Sequence, residues 1–312
     1  MSKQRYDLII IGGGPAGMSA ALIAGRTLMR TAIINAENPR NKVTTHSHGF
    51  LSRDGIHPLE LLAISKQQLE KYESVDYIKD LMTDVVKSDE GFEVHLQSGQ
   101  PLTGENIIFA TGYKDNIHKS DLPGIEKVYG KSVFPCPFCD GWEHHGEKLA
   151  VFGQDPFVAE YGKVISNWSK DLIIFTNGEE IISREVEDTL ALGGIAVVQE
   201  KIDELVSDPH GKLLAIRLDG GRELARDAGF LMDTHEEPTT TLPIQLGVGL
   251  TTNSWGMEVL EADEFGKTNV AGLYIVGDAK SGFGGLIASA RDGAACVEMM
   301  LHERVHARWA SL

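Results

Sequence analysis

Near the start of this 312-residue chain, the stretch YDLIIIGGGPAGMSAALIAGR dictates a strand, a tight turn and a helix in direct succession. Leu8–Ile11 is continuously apolar and rich in isoleucine, as expected of a short strand buried on both faces of a sheet. Gly12, Gly14 and Gly17 follow with the spacing G-x-G-x-x-G, and an alanine-rich segment continues as helix. In that setting the three glycines serve different ends, namely a tight turn, backbone room for a pyrophosphate, and close helix-to-strand packing. A second strand, RTAIIN, follows at βαβ distance. Asn35 stands at its end and Glu37 two residues further on, and either side chain can accept a hydrogen bond from a ribose hydroxyl. A glycine turn without a ligand is the competing reading, and the strand-helix-strand context weighs against it.

Two later segments read as strands of the same kind. NIIFATGY ends in Ala110-Thr111-Gly112, and AGLYIVGDA ends in Gly277-Asp278. Such small residues belong where an open α/β sheet binds ligands, outside the carboxyl ends of its strands. The following GGLIASARDG, with Leu286 and Ile287, allows close backbone approach and then predicts a helix from Ser289 whose N-terminal dipole favours negative charge. Between these segments lies a separate βαβ pattern: KLAVFG as strand, PFVAEYGKVISNW as helix, DLIIFTNG as strand and EVEDTLALGG as helix. The expected fold class is α/β, with two Rossmann-like, three-layer ββα dinucleotide-binding domains, the second inserted in the first. Residues 1–115 and 244–312 form the discontinuous first domain, and 116–243 form the inserted one.

The formal net charge of −16 excludes a nucleic-acid backbone or an anionic membrane surface as the partner. No apolar run approaches the roughly 18 residues of a spanning helix, and YDLIII runs into glycines rather than a cleavage site, so a cytoplasmic setting is expected. Three cysteines cannot form a secreted disulfide framework. Cys296 lies in an apolar helical segment and reads as packing. Cys136 and Cys139, in CPFCDGWEHHGE, read as a redox disulfide, part of a metal site, or two space-filling thiols. A Cys-x-x-Cys turn holds two sulfurs near bonding distance and lowers the pKa of one thiol. His144 and His145 add imidazoles suited to proton transfer near neutral pH. These four side chains are also zinc-type ligands, but adjacent histidines rarely converge on one ion and no second ligand pair follows, so redox use is expected and no metal.

With these motifs in order, the chain resembles the low-molecular-weight thioredoxin reductases, flavoproteins with two dinucleotide domains. IIIGGGPAGMSAA, IIFATGY, CPFCDGWEHHGEKLAVFG and AGLYIVGDAKSGFGGLIASARDGAA occur in that family's order and near its spacing over nearly the whole length. The loop RNKVTTHSHGFLSRDG and the DGWEHH continuation resemble the branch that contains dithiol oxidases of disulfide antibiotics. The resemblance implies FAD held by Gly12, Gly14, Pro15, Ala16, Gly17 and Asp278, with the isoalloxazine facing the cysteine pair. It implies that Cys139 is the flavin-side sulfur, that Cys136 exchanges with substrate, and that Asp140 moves the proton. A homodimer and a thioredoxin-like protein or small dithiol or disulfide as partner are further implications.

The chain departs from that family at the second fingerprint. VFGQDPFVAEYG keeps Gly153 but sets Asp155 where the second glycine belongs and Val158 near the third. Asp155-Pro156 reads as an N-cap followed by proline at the first helical position. A carboxylate there opposes a pyrophosphate. The next strand end offers Asn177, Glu179 and Glu180 rather than arginines for a 2′-phosphate, so NADPH is disfavoured more than NADH and the electron donor stays open. The expected function is an FAD-dependent thiol/disulfide oxidoreductase resembling thioredoxin reductase. The alternatives are a flavin dithiol oxidase using oxygen and a non-enzymatic flavin- or zinc-binding module.

Overall fold

In β1 (Arg5–Ile11), Leu8 and Ile10 enter the core on one side of a sheet and Ile9 and Ile11 the core on the other. Both faces are covered, which is why the run is apolar without alternation. The computed structural model describes residues 5–253, 256 and 258–312. They divide into two units: Met1–Lys42, Pro58–Lys114 and Pro238–Leu312 form the first, and Val43–His57 with Asp115–Glu237 form the second.

In the first unit, β1 is followed by α1 (Pro15–Arg26), β2 (Thr31–Asn35), α2 (Pro58–Leu69), β3 (Val75–Lys79), β4 (Met82–Ser88), β5 (Gly91–Leu96) and β6 (Leu102–Phe109). The sheet runs β3-β2-β1-β6 in parallel. One side of β6 is shared: its first residues pair antiparallel with β5, which carries β4, and its last residues pair parallel with Leu273–Ile275. The C-terminal helix Gly285–Ala310 packs on α1. It begins four residues before the Ser289 start expected from sequence, so Leu286 and Ile287 lie in its first turn. Cys296 is fully buried in the core it shares with α1, as its setting predicted.

The second unit repeats the plan. Ile195–Val198, Leu172–Phe175, Leu149–Phe152, Ala228–Leu231 and Val133–Phe134 form a parallel sheet in that spatial order. Ile202–Ser207, Leu213–Leu218 and Glu223–Ala225 form an antiparallel sheet beside it. Helix Arg184–Leu192 is capped by Ser183, whose hydroxyl accepts from the Val186 N–H at 3.4 Å. The helix expected from Pro156 begins instead at Val158, because Asp155 and Pro156 are consumed in a preceding turn closed by Val158 N–H donating to the Asp155 carbonyl at 2.9 Å.

The boundaries expected from sequence, 116–243 for the inserted domain, differ from these units by one residue at Asp115 and more widely at two places. The return crossing lies at Glu237–Pro238, and Val43–His57 packs with the second unit. The cause is contact: a Cβ on Gly130 would lie 2.7 Å from a Val43 methyl, and His48 lies beside Glu143. Among the described residues no helix is long and apolar enough to cross a membrane.

The approach of the C-terminal helix to α1 depends on Gly293, where a Cβ would overlap the Ala16 carbonyl. At an exposed helical glycine, alanine stabilises by up to about 1 kcal/mol. Here Gly293→Ala is expected to destabilise by about 1–3 kcal/mol, read as a lower denaturant midpoint in equilibrium unfolding.

Candidate active site

At the carboxyl end of β1, Gly12 takes φ +104°, and a Cβ there or on Gly17 would collide with backbone. Those two glycines are explained by packing. Gly14 is not: its φ of −74° suits any residue, and a Cβ on it would meet nothing within 4 Å. A glycine held where neither strain nor packing requires one marks the place where a ligand's backbone approach is needed. It stands at the start of α1, which has Pro15 in its first turn and no side-chain cap, so its free N–H groups suit a pyrophosphate. Ala16 packs against Gly277, which adopts φ +66° and ψ −151°, a region open essentially to glycine alone.

The side chain of Asp278 follows directly. Its Oδ1 accepts from the Gly284 N–H at 3.1 Å and from the Ser289 hydroxyl at 3.0 Å, and burial pushes its pKa upward. Arg40 partly offsets that effect. The Arg40 guanidinium stacks over the Tyr113 ring at 4.4 Å, a placement that sequence reasoning missed because it depends on a loop fold rather than a motif. Thr111 and Gly112 close the end of β6, partly exposed, and Leu286 and Ile287 open the uncapped C-terminal helix.

At the end of β2, the ribose candidates are already engaged. Asn35 Nδ2 donates to the Tyr77 hydroxyl at 2.8 Å, and its Oδ1 accepts from the Glu37 N–H at 3.0 Å. Glu37 pairs with Lys79 at 2.5 Å and Lys66 at 3.4 Å. The two thus form one local network, with Glu37 the more accessible acceptor.

In the second unit, Cys136 and Cys139 are joined as a disulfide with Cα atoms 5.3 Å apart. Pro137–Asp140 form a single helical turn in which the N–H groups of Cys139 and Asp140 both donate to the Cys136 carbonyl at 3.2 Å, and this turn brings the sulfurs together. Gly141 is required by close approach: a Cβ would lie 2.8 Å from the Trp168 ring, on which Phe138 also packs edge-on. Phe138 and Trp142 are 78% and 71% exposed and leave an apolar approach to the disulfide.

Asp140 is the electrostatic centre of this site. Burial, followed by the charge of Glu143, pushes its pKa up to about 7, against a smaller opposing effect of His48. Tyr161, whose hydroxyl donates to the Pro135 carbonyl at 3.0 Å, is itself affected by the Asp140 charge. The histidines of DGWEHH have other partners. His144 Nδ1 pairs with Glu147 at 2.7 Å, and His145 Nδ1 donates to the Trp142 carbonyl at 2.5 Å. The imidazole that acts on Asp140 is His48, which no motif in the sequence singles out within its loop.

The strand ends of the second unit's sheet enclose a cavity of about 130 Å³. Gly153, Asp155, Asn177, Asp233 and His235 are among its lining, which includes no lysine or arginine. A Cβ on Gly153 would lie 2.7 Å from a Val158 methyl, so the residue near the third glycine position fills the turn. Asn177 is 5% exposed and turned inward, donating to the Asp121 carbonyl and accepting from the Ile202 N–H, both at 3.0 Å.

The raised pKa of Asp140 has a consequence for stability. The folded carboxyl keeps its proton up to about pH 7, whereas an unfolded aspartate releases it near its ordinary value of 3.8. The folded chain therefore binds the extra proton across that window, and this group's contribution to stability falls as pH rises through it. Asp140→Asn is expected to raise the thermal midpoint of the oxidised protein at about pH 8 and to leave it unchanged at about pH 4, measured by calorimetry.

A family model described as pyridine nucleotide-disulphide oxidoreductase matches residues 6–294. A protein named probable thioredoxin reductase from Arthroderma benhamiae is 34% identical over 197 residues, which is 61% of this chain and 47% of that protein, so the match spans about half of the relative's length. Thioredoxin reductase tcpT from Claviceps purpurea is 29% identical over 286 residues, covering 87% of this chain and 86% of that one. A crystal structure assigned to thioredoxin reductase TrxB of Bacillus anthracis superposes with a TM-score of 0.90 at 32% identity, covering 97% of this chain and 99% of that one. The open cradle at Gly14 fits the dinucleotide of FAD, the flavin of this group. The chain belongs to the pyridine nucleotide-disulphide oxidoreductase family, among its thioredoxin-reductase-like enzymes.

Proposed function

We propose that the protein is an FAD-dependent dithiol oxidase, which takes two electrons from a substrate dithiol through Cys136 and Cys139 rather than from NADPH. One observation supports this reading: Val158 fills the turn at Gly153, and the second unit's nucleotide cleft is small. Its 130 Å³ falls below the roughly 300 Å³ of even a small-ligand pocket. Asp155 and Asp233 add negative charge where a pyrophosphate would bind, and Asn177 is committed to internal hydrogen bonds rather than to a ribose.

The residues of the first unit have the corresponding roles. Gly12, Gly14, Pro15, Ala16 and Gly17 would cradle the pyrophosphate, Glu37, held in place by Asn35, would meet the adenosine ribose, and Asp278 would accept from the ribityl chain. Thr111, Gly112, Gly277, Leu286 and Ile287 would line the flavin, where the uncapped start of the C-terminal helix would favour negative charge on it. Bound FAD supplies a two-electron acceptor that oxygen can re-oxidise.

At the cysteine pair, a substrate thiolate attacks one sulfur, forming a mixed disulfide and releasing the other sulfur as thiolate. The second substrate thiol gives up its proton and attacks the mixed bond. The substrate leaves as a disulfide and the pair is left reduced by two electrons. Asp140, half-buried and balanced near neutrality, takes a proton in this step and returns it to solvent. Exposed Phe138 and Trp142 favour an apolar dithiol, small or presented by a thioredoxin-like protein.

The test is anaerobic reduction of the bound flavin by a small dithiol, NADPH and NADH in parallel, followed by loss of flavin absorbance. The dithiol is expected to bleach the flavin at a catalytic rate, with both nicotinamides at least about 100-fold slower, corresponding to about 3 kcal/mol of lost binding. Catalytic bleaching by NADPH would restore a thioredoxin reductase reading in which the nicotinamide binds outside this cleft.

A further inference from the structure

Arg40 belongs to the first unit and opens the short 3₁₀ turn Arg40–Val43. The Lys42 N–H donates to the Pro39 carbonyl at 3.2 Å, and the Lys42 ammonium donates to Asn38 Oδ1 at 2.5 Å, which fixes the backbone on either side of Arg40. The Arg40 guanidinium lies within cation–π reach of two rings at once, 4.4 Å from the centroid of Tyr113 and 5.5 Å from that of Phe283. Tyr113 is buried, so the first contact is shielded from water, whereas Phe283 is 46% exposed. Phe283 stands among glycines, with Gly282 at φ +78° and Gly285 at φ +79°. Backbone of this kind loses much freedom on being ordered. It is held to Asp278, whose carbonyl accepts from the Gly282 N–H at 3.0 Å and whose Oδ1 accepts from the Gly284 N–H at 3.1 Å.

We propose that Arg40, Tyr113 and Phe283 form a clamp that retains the bound cofactor, with Arg40 as the positioning residue that ties the two rings together. The proposal rests on the placement of FAD at the strand ends of the first unit. Each member of the clamp stands a few residues from a group assigned to FAD: Arg40 follows Glu37, Tyr113 follows Thr111 and Gly112, and Phe283 lies between Asp278 and Leu286. The three segments are far apart in sequence and meet at one guanidinium. A cation against both rings means that none of these segments can swing away from the site without giving up a ring contact. The glycine-flanked Phe283 has the most freedom to lose, so its loop gains most from being tied. A planar, permanently charged guanidinium suits this task, because it stacks on aromatic faces in a way that a compact ammonium does not.

The test is the rate at which the purified flavoprotein releases FAD after dilution, followed by the fluorescence of the freed flavin. Relative to wild type, Arg40→Met is expected to speed release by about 10-fold and Phe283→Leu, at the more exposed ring, by about 3-fold. Phe283→Tyr keeps an aromatic face and should release at the wild-type rate. Adding Phe283→Leu to Arg40→Met should give no further increase, because the two changes remove one interaction. The thermal midpoint of the FAD-free protein should be the same for wild type and Phe283→Leu, whereas a ring with a merely structural role would lower it on removal. Wild-type release in Arg40→Met, faster release in Arg40→Met with none in Phe283→Leu, additive effects in the double variant, or a lowered FAD-free midpoint in Phe283→Leu each overturn the clamp alone. A wild-type protein that holds no FAD overturns the placement of the cofactor and the clamp with it.

Discussion

A parallel sheet covered on both faces leaves its chemistry to the carboxyl ends of its strands, and the two units of this chain differ there. In the first, the strand ends are bare backbone: Gly14 faces open space, Gly277 holds a conformation essentially closed to other residues, and the uncapped start of α1 offers free N–H groups. In the second, side chains occupy the equivalent places. Val158 fills the turn, Asp155 takes the N–H of Phe157 at 2.8 Å, and Asn177 turns inward. The same architecture thus presents two different strand-end surfaces, and the proposed direction of electron flow rests on that difference.

What the second unit keeps is the disulfide and the carboxyl beside it. The one-turn helix Pro137–Asp140 carries Cys139 and Asp140, whose N–H groups both donate to the carbonyl of the preceding Cys136, and Trp168 lies close against Gly141. Burial of Asp140 raises its pKa, which destabilises the folded chain at neutral pH. A desolvated carboxyl that stays near neutrality is the kind of arrangement expected where proton transfer matters more than stability.

Much of this was legible in the sequence, because it is carried by local patterns. The apolar run at Leu8–Ile11, the glycine spacing after it and the repeated βαβ order in 148–193 specify the fold class through periodicity and turn chemistry alone. The cysteine turn and the filled second fingerprint were equally local. The missed features depend on contacts across long sequence separations. His48 meets Glu143 from the loop Val43–His57, which packs on Gly130, and Arg40 stacks on Tyr113 from across the first unit. The later start at Val158 and the earlier start at Gly285 reflect a loop tightened by Asp155 and a glycine pair whose helical continuation no propensity predicts.

The central claim is that the Cys136–Cys139 disulfide and the flavin form one redox-active unit. Anaerobic titration of the purified flavoprotein with dithionite measures this directly. The account predicts uptake of about four electrons per FAD in wild type and about two in a protein carrying both Cys136→Ser and Cys139→Ser. Uptake of about two electrons by wild type, or a purified protein that holds no FAD, would contradict it.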